Sequence, residues 1–374
     1  MRQKRLMNKL NASNSLYVIL IILLVLTGCS PNEKQPEIKI GGLFALTGYA
    51  SFAGEASRDG FLMAIEDSDM DIKYVIEDFS SDTKTAVTTV TKLIDVDKVN
   101  VIIGPEWAEF GAAVAPLAEE KKMVFISPWL TTEPQWLKEA EYYFSGTASE
   151  RSQLRHLIGY MSKQKIEKLV IIYSNNEWAS GNVAIFKEEV KKFPDITIIE
   201  EFKVAQEAND FKTEITKIKT LAPDAIYTVI STDSDQGIFN KQLKELSADY
   251  PVFLPYSRAE SSVLLEKYAE VMDGAIYAGP KEYKNMQSFT EKYELRFGKK
   301  PSAISAATAY DMTTLVLEAI KNGAQTTDEI REYLVNKKDY EGYSNLITFN
   351  EFGQVTAEET VLKQIDGKVY KVLE

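Results

Sequence analysis

One cysteine, Cys29, and one histidine, His156, stand among 374 residues. A lone cysteine excludes a disulfide within the chain. With a lone histidine beside it, nothing remains for a Zn site of the usual Cys/His kind, and a histidine-based triad would rest on His156 alone. An excess of positive charge is also missing: 43 Lys and Arg stand against 55 Asp and Glu, a formal net charge of −12. Phosphate backbones need a basic footprint, so no nucleic-acid partner is expected. Enzyme fingerprints are absent too: there is no G-x-S-x-G elbow, P-loop, G-x-G-x-x-G or H-E-x-x-H. His156 falls beside Arg155 in a helical stretch, as an expected surface residue. Asp233-Ser-Asp235 lacks the further ligands a cation requires. Neither enzymatic activity nor a cofactor nor a metal is expected. What is present is ordinary for a globular chain, 45% apolar and 26% charged, and the length suggests two domains.

The first thirty residues read as an address. Arg2, Lys4, Arg5 and Lys9 form a basic start, and an unbroken apolar run follows over 16–26. That run is shorter than the roughly 18 to 20 residues of a membrane-spanning helix, and it fits a secretory signal over 1–28. It ends in Leu26-Thr27-Gly28-Cys29, which resembles a bacterial lipobox. The resemblance implies diacylglycerol on the Cys29 thiol and cleavage before it, with an uncleaved anchor as the alternative. Acyl chains would hold the protein on a membrane, at roughly 0.8 kcal/mol per buried CH2. Cleavage would remove four of the 43 basic residues and none of the 55 acids. Residues 29–36, polar with two prolines, read as a tether, and everything beyond it is expected to work outside the cytoplasm.

From 37 onward strand-like and helical runs alternate. Strand patterns at 38–46, 72–76, 99–103 and 123–126 enclose helical spacing at 54–65, 83–96 and 110–121. The rhythm restarts near 149, with helices at 151–163, 179–192, 211–221, 236–246 and 261–272 between strands at 169–173, 196–202, 225–230, 252–254 and 275–278. Helical stretches at 286–297, 304–322 and 328–335 follow, then a hairpin at 360–372 with an Asp366-Gly367 turn. This is the pattern of α/β architecture with two doubly wound parallel sheets. Ligands in such sheets bind beyond the carboxyl ends of the strands, so the loops there matter most. They carry Tyr49 and Phe52 after the first strand, Trp107 after the third, Trp129 and Thr131 after the fourth, and Trp178, Ser231, Asp233, Ser257 and Arg258 in the second half. Three of the four tryptophans fall in these loops, which predicts a shared aromatic-walled pocket.

The order of these elements and loops resembles the type I periplasmic-binding-protein family, in its branched-chain amino acid (Leu/Ile/Val) branch. The resemblance runs over 37–374 and is carried best by 41–60, 101–134 and 169–181. It implies a solute-binding protein of an ABC transporter, acting as a monomer: two lobes joined by three crossings, near 147–149, 279–282 and 350–357, that close on a small molecule and dock on a permease. Lobe I would be 37–148 with 281–350, and lobe II 149–280 with 351–374. By spacing, the two hydroxyl positions that hold a ligand carboxylate in amino-acid-binding members fall on Ala108 and Thr131. Thr131 keeps its hydroxyl, whereas Ala108 offers only a backbone N–H at a helix start. Trp178 matches the aromatic cover, and Trp129 the position that presents a backbone carbonyl. The acid that meets an ammonium group falls near Ser257, which has no carboxylate, and adjacent Arg258 has the opposite sign. A tyrosine-like position falls near Ser231. Asp233 and Asp235 read as the cap and first turn of the following helix, or as ligand contacts.

These departures predict a small carboxylate or amide with an apolar or aromatic body. Arg258 would meet a second acid group if it faces inward, and is solvated otherwise. A sensor feeding a membrane signalling partner, or a scaffold without a ligand, are the alternatives for the same architecture.

Overall fold

The computed structural model describes residues 38–373 apart from 260, 282 and 357–359. The signal expected at 1–28, the tether expected at 29–36 and the expected lipid site, Cys29, lie outside the described residues. No helix among the described residues is long and apolar enough to cross a membrane.

Lobe I begins with β1 (Lys39–Phe44), α1 (Ser51–Asp67), β2 (Lys73–Asp78), α2 (Thr83–Asp95), β3 (Val101–Ile103), α3 (Ala108–Lys121), β4 (Val124–Ser127), α4 (Gln135–Glu139) and β5 (Tyr143–Ser145). Its sheet runs β2-β1-β3-β4-β5, with every pairing parallel. Ile40, Leu43, Val101, Ile102, Ile103, Phe125 and Ile126 are fully buried, as a sheet covered on both faces requires. The strand order reverses between β1 and β3. The loops after these two strands therefore diverge to opposite faces and leave a crevice between them.

Lobe II contains α5 (Arg151–Lys163), β6 (Lys168–Ser174), α6 (Glu177–Glu189), β7 (Thr197–Val204), α7 (Lys212–Leu221), β8 (Ala225–Val229), α8 (Asp233–Glu245), β9 (Val252–Phe253), α9 (Tyr256–Ala259), α10 (Ser262–Met272) and β10 (Ile276–Pro280). The chain then forms α11 (Met286–Phe297), α12 (Ser305–Lys321), α13 (Thr327–Asn336), β11 (Tyr340–Glu341) and β12 (Leu346–Ile347), and ends in β13 (Thr360–Asp366) and β14 (Val369–Val372). The second sheet runs β14-β13-β10-β9-β8-β6-β7. Its β13–β14 hairpin is antiparallel at one edge, and its order reverses between β6 and β8.

Helices α11 and α12 pack back on lobe I. Phe289, Tyr293, Ala306 and Tyr310 share a core with Ala56, Met63 and Ala64 of α1, and Met312, Leu315 and Val316 join the core of the first sheet. The chain thus leaves lobe I after β5, returns after β10, and leaves again before β13. A bridge between Ser145 and Gln354 ties the first passage to the third.

Two local expectations change. His156 is half-buried rather than a surface residue, because its Nδ1 lies 2.9 Å from Thr360 Oγ1 and ties α5 to β13. Helix α8 is capped by Thr232, whose hydroxyl accepts the Asp235 N–H at 3.0 Å, and not by Asp233. The three-residue β5 and the short α4 and α9 have no counterpart in the sequence reading, since none is long enough to show a period.

Candidate functional site

A cleft of about 820 Å3 opens between the carboxyl ends of the two sheets. Its lining includes Tyr49, Phe52, Trp107, Ala108, Trp129 and Thr131 from lobe I and Trp178, Ser231, Asp233, Ser257 and Arg258 from lobe II. The structure therefore brings together all the residues that sequence placed at the strand ends. The two switch points account for this: Tyr49, Phe52 and Trp107 follow β1 and β3, and Trp178, Ser231 and Asp233 follow β6 and β8.

The lobe I wall is aromatic. Trp107 lies 5.9 Å from both Tyr49 and Phe52, and Trp129 lies 6.3 Å edge-on to both Phe52 and Trp107 (ring centroids throughout). Tyr49 and Phe52 are 55% and 44% exposed, so apolar ring surface faces the cleft rather than the core. The fourth tryptophan, Trp136, lies instead against Tyr143 at 5.0 Å. Backbone bonds set the wall. Asp78 accepts the Leu46 N–H at 2.9 Å and the Thr47 hydroxyl at 2.7 Å, which fixes the β1 loop. Gly104 holds φ +110°, and a side chain there would drive its Cβ to 2.0 Å from the Leu43 carbonyl oxygen, so only glycine fits. Trp107 adopts φ 66° and donates its N–H to the Trp129 carbonyl at 2.7 Å.

The Trp129 carbonyl expected to face a ligand thus also accepts a bond from within lobe I, and one lone pair remains. Ala108 opens α3 as expected, and the first-turn N–H groups of this helix have no intrahelical acceptor. Glu109, which the sequence reading passed over, also lines the cleft and lies 3.5 Å from the Tyr49 hydroxyl. Burial pushes its carboxyl up from the ordinary range.

The lobe II wall is polar around one indole. Arg258 lies 5.8 Å over the Trp178 ring. It faces the cleft, already paired within lobe II, and its Nε–H is buried with no hydrogen-bond partner among the described residues. Its guanidinium pairs with Asp233 and donates to the Ser231 carbonyl oxygen at 2.5 Å, while Ser261 donates to Asp233 at 2.8 Å. Asp233 is thus both a first-turn residue of α8 and a cleft residue. Asn176 caps α6, accepting the Ala179 N–H at 2.9 Å, and donates to Ser231 Oγ at 2.5 Å. The Ser257 hydroxyl is buried with no hydrogen-bond partner among the described residues.

Sequence reasoning also missed Glu150. It stands at the N-cap position of α5, at the first passage between the lobes, without a side-chain capping bond, and lines the cleft. In the sequence it looks like an acid beginning a helix, which carries no signal of a cleft. Its N–H donates to the Thr131 carbonyl at 2.8 Å, tying the crossing to the lobe I loop. Among the described residues no group of three or more acids, histidines or cysteines could hold a metal ion.

Behind the lobe I wall lies Glu106, fully buried, with neither carboxylate oxygen hydrogen-bonded among the described residues. The Ser57 hydroxyl, which would pull its pKa back down, donates to the Ala53 carbonyl at 3.0 Å. Burial pushes this carboxyl from 4.5 up to about 7. Between those values only the folded chain keeps the proton, so stability falls as pH rises through the window and is level above it. At 1.36 kcal/mol per unit the loss is on the order of 3 kcal/mol. Glu106→Gln removes this term. Its stability relative to the parent, from denaturant midpoints, should increase from about pH 5 to about pH 8. An unchanged difference across that range contradicts the assignment.

A family model described as periplasmic binding protein matches residues 37–368. Among solved structures, a leucine-binding protein of Thermotoga maritima is 21% identical with a TM-score of 0.78, covering 90% of this chain and 98% of that one. A solute-binding protein of an ABC transporter from Rhodopseudomonas palustris, in complex with 3,4-dihydroxybenzoic acid, is 22% identical with a TM-score of 0.75, covering 90% and 95%. Glutamate receptor 2.7 of Arabidopsis thaliana is 22% identical over 345 residues, 85% of this chain, and the chain spans only 35% of that receptor.

Proposed function

The chain belongs to the periplasmic binding protein family, and from that premise we propose that it is an extracytoplasmic, lipid-anchored solute receptor of an ABC transporter. In this reading Cys29 carries the lipid and 29–36 is the tether. Lobe I is 37–148 with 281–350, lobe II is 149–280 with 351–374, and the closed monomer docks on a permease. The solute is a small carboxylate or amide with an apolar or aromatic body.

One observation carries the reading: a cleft between two sheets, walled by Tyr49, Phe52, Trp107 and Trp129 on one side and Trp178 on the other. Such walls bury apolar ligand surface while a few polar groups set orientation. Thr131 and the first amides of α3 would take the carboxylate, where the helix N-terminus favours negative charge. The similar structures named for leucine binding and solved with 3,4-dihydroxybenzoic acid support a solute of this size and chemistry.

The test is thermal denaturation with a panel of leucine, phenylalanine, benzoate and dicarboxylic acids. Aliphatic or aromatic members should raise the melting temperature, increasingly with concentration. No shift from any of them contradicts the reading.

A second reading, a sensor feeding a membrane signalling partner, is favoured by the likeness to a plant glutamate receptor. Permease and ATPase genes beside this one support transport, and a kinase or cyclase gene supports sensing.

A further inference from the structure

The charges of the cleft do not balance around Glu150. This carboxylate is 1% exposed yet lines the cleft. Its Oε1 accepts the Ser257 N–H at 2.9 Å and its Oε2 the Asn182 side-chain amide at 2.5 Å. Asn182 is held in turn by the Tyr227 hydroxyl at 2.6 Å. Both donors are neutral, and among the described residues the carboxylate forms no ion pair. The neighbouring cation, Arg258, pairs with Asp233 and donates to the Ser231 carbonyl, and forms no ion pair with Glu150 among the described residues.

A buried carboxylate without a counter-cation is costly unless a positive group arrives. Burial accordingly raises the Glu150 carboxyl above the ordinary range, opposed by its hydrogen bonds and by the charge on Arg258. Each oxygen has accepted one hydrogen bond and retains capacity for another. Beside it the Ser257 hydroxyl is buried without a partner, which adds an acceptor at the same point. The arrangement is rigid: Asn182 and Tyr227 fix one oxygen, and the peptide of Ser257 fixes the other.

The geometry points to Glu150 as the group that receives an ammonium of the solute, with Ser257 Oγ beside it, so that the ligand class is an amino acid or related zwitterion rather than a simple carboxylic acid. This rests on the solute-receptor reading and narrows it. The missing acid at position 257 is replaced by one from the interlobe passage, whose carboxylate reaches the backbone of Ser257 itself. Because Glu150 sits where the chain changes lobes and its N–H holds the Thr131 carbonyl, both ends of a zwitterion would be read against one fixed frame. Trp107, Trp129 and Trp178 then enclose the side chain.

The experiment compares each amino acid with the acid that lacks only its ammonium: leucine with 4-methylpentanoate, and phenylalanine with 3-phenylpropionate. Dissociation constants are measured by calorimetry on the full chain and on Glu150→Gln, which keeps size and one acceptor. The parent should bind the better amino acid at least tenfold more tightly than its deaminated partner. Glu150→Gln should lose roughly thirty-fold or more for the amino acid, the cost of truncating one side of a buried charge pair, and stay within about twofold for the deaminated acid. A merely structural role would lower both equally. The proposal is overturned if the parent binds both members of a pair alike, or if Glu150→Gln binds the amino acid as the parent does. The parent comparison decides alone if the variant does not fold. Failure of all four compounds and of benzoate to bind the parent overturns the receptor reading itself, and this inference with it.

Discussion

Trp129→Ala will weaken binding of the best solute by roughly tenfold, about 1.4 kcal/mol, while leaving most of the stability of the empty protein. The figure follows from area. A tryptophan presents about 150 to 250 Å2, and at most about a third of this half-buried residue is open to a ligand. At about 25 cal/mol per Å2 that third is worth roughly 1 to 2 kcal/mol. The Trp129 carbonyl, which accepts the Trp107 N–H, survives the substitution, so the loop should keep its course. Trp136→Ala is the counterpart. That indole packs on Tyr143 and against Gly111, outside the cleft, and its loss should lower stability while leaving affinity within about twofold. Calorimetric dissociation constants and denaturant midpoints on both variants check the pair. Equal loss of affinity in the two would mean that the indoles near the cleft do not line a ligand site.

Gly60→Ala will cost lobe I at least about 1 to 3 kcal/mol, and Gly60→Val more. Gly60 lies on α1 where the backbone of α12 crosses it. A Cβ there would stand 1.9 Å from the Ala306 carbonyl oxygen and 2.8 Å from its carbon. Those are backbone atoms, so no rotamer relieves the overlap and the two helices must separate along a buried seam that includes Ala56, Ala306 and Ala307. Gly159→Ala on α5 gives the contrast. Its nearest neighbours would be Phe193 ring carbons at 3.6 Å, an ordinary contact. Alanine is the better helix former by up to about 1 kcal/mol, so this variant should be neutral or more stable. Urea midpoints of the two variants measure the difference, and equal effects would contradict the close crossing of α1 and α12.

Much of this was legible in the letters, for identifiable reasons. Buried parallel strands are continuous apolar runs such as Val101–Ile103, and the helices between them keep a 3.6 period, so the alternation of two doubly wound sheets shows directly. The strand-end rule then places Trp107, Trp129 and Trp178 around one cleft without any knowledge of pairing. What stayed hidden depends on residues far apart in the chain. Arg258 reads as a free cation until Asp233, 25 positions away, is seen to hold it. Glu150 reads as a helix-start acid until the fold brings Ser257, 107 positions away, onto its carboxylate. That the Trp129 carbonyl also accepts the Trp107 N–H shows only in the fold. β5 is three residues long, too short for any period, and its place is set by pairing with β4. Local pattern fixes elements and loop ends, whereas charge pairing across a cleft belongs to tertiary structure alone.

Solution X-ray scattering with and without the solute that most raises the melting temperature tests the central claim most directly, because a two-lobed receptor must draw its lobes together on what it binds. The radius of gyration should fall at saturation, and should fall less for Trp129→Ala at the same solute concentration. A profile unchanged by a solute shown calorimetrically to bind would contradict a cleft that closes on its ligand.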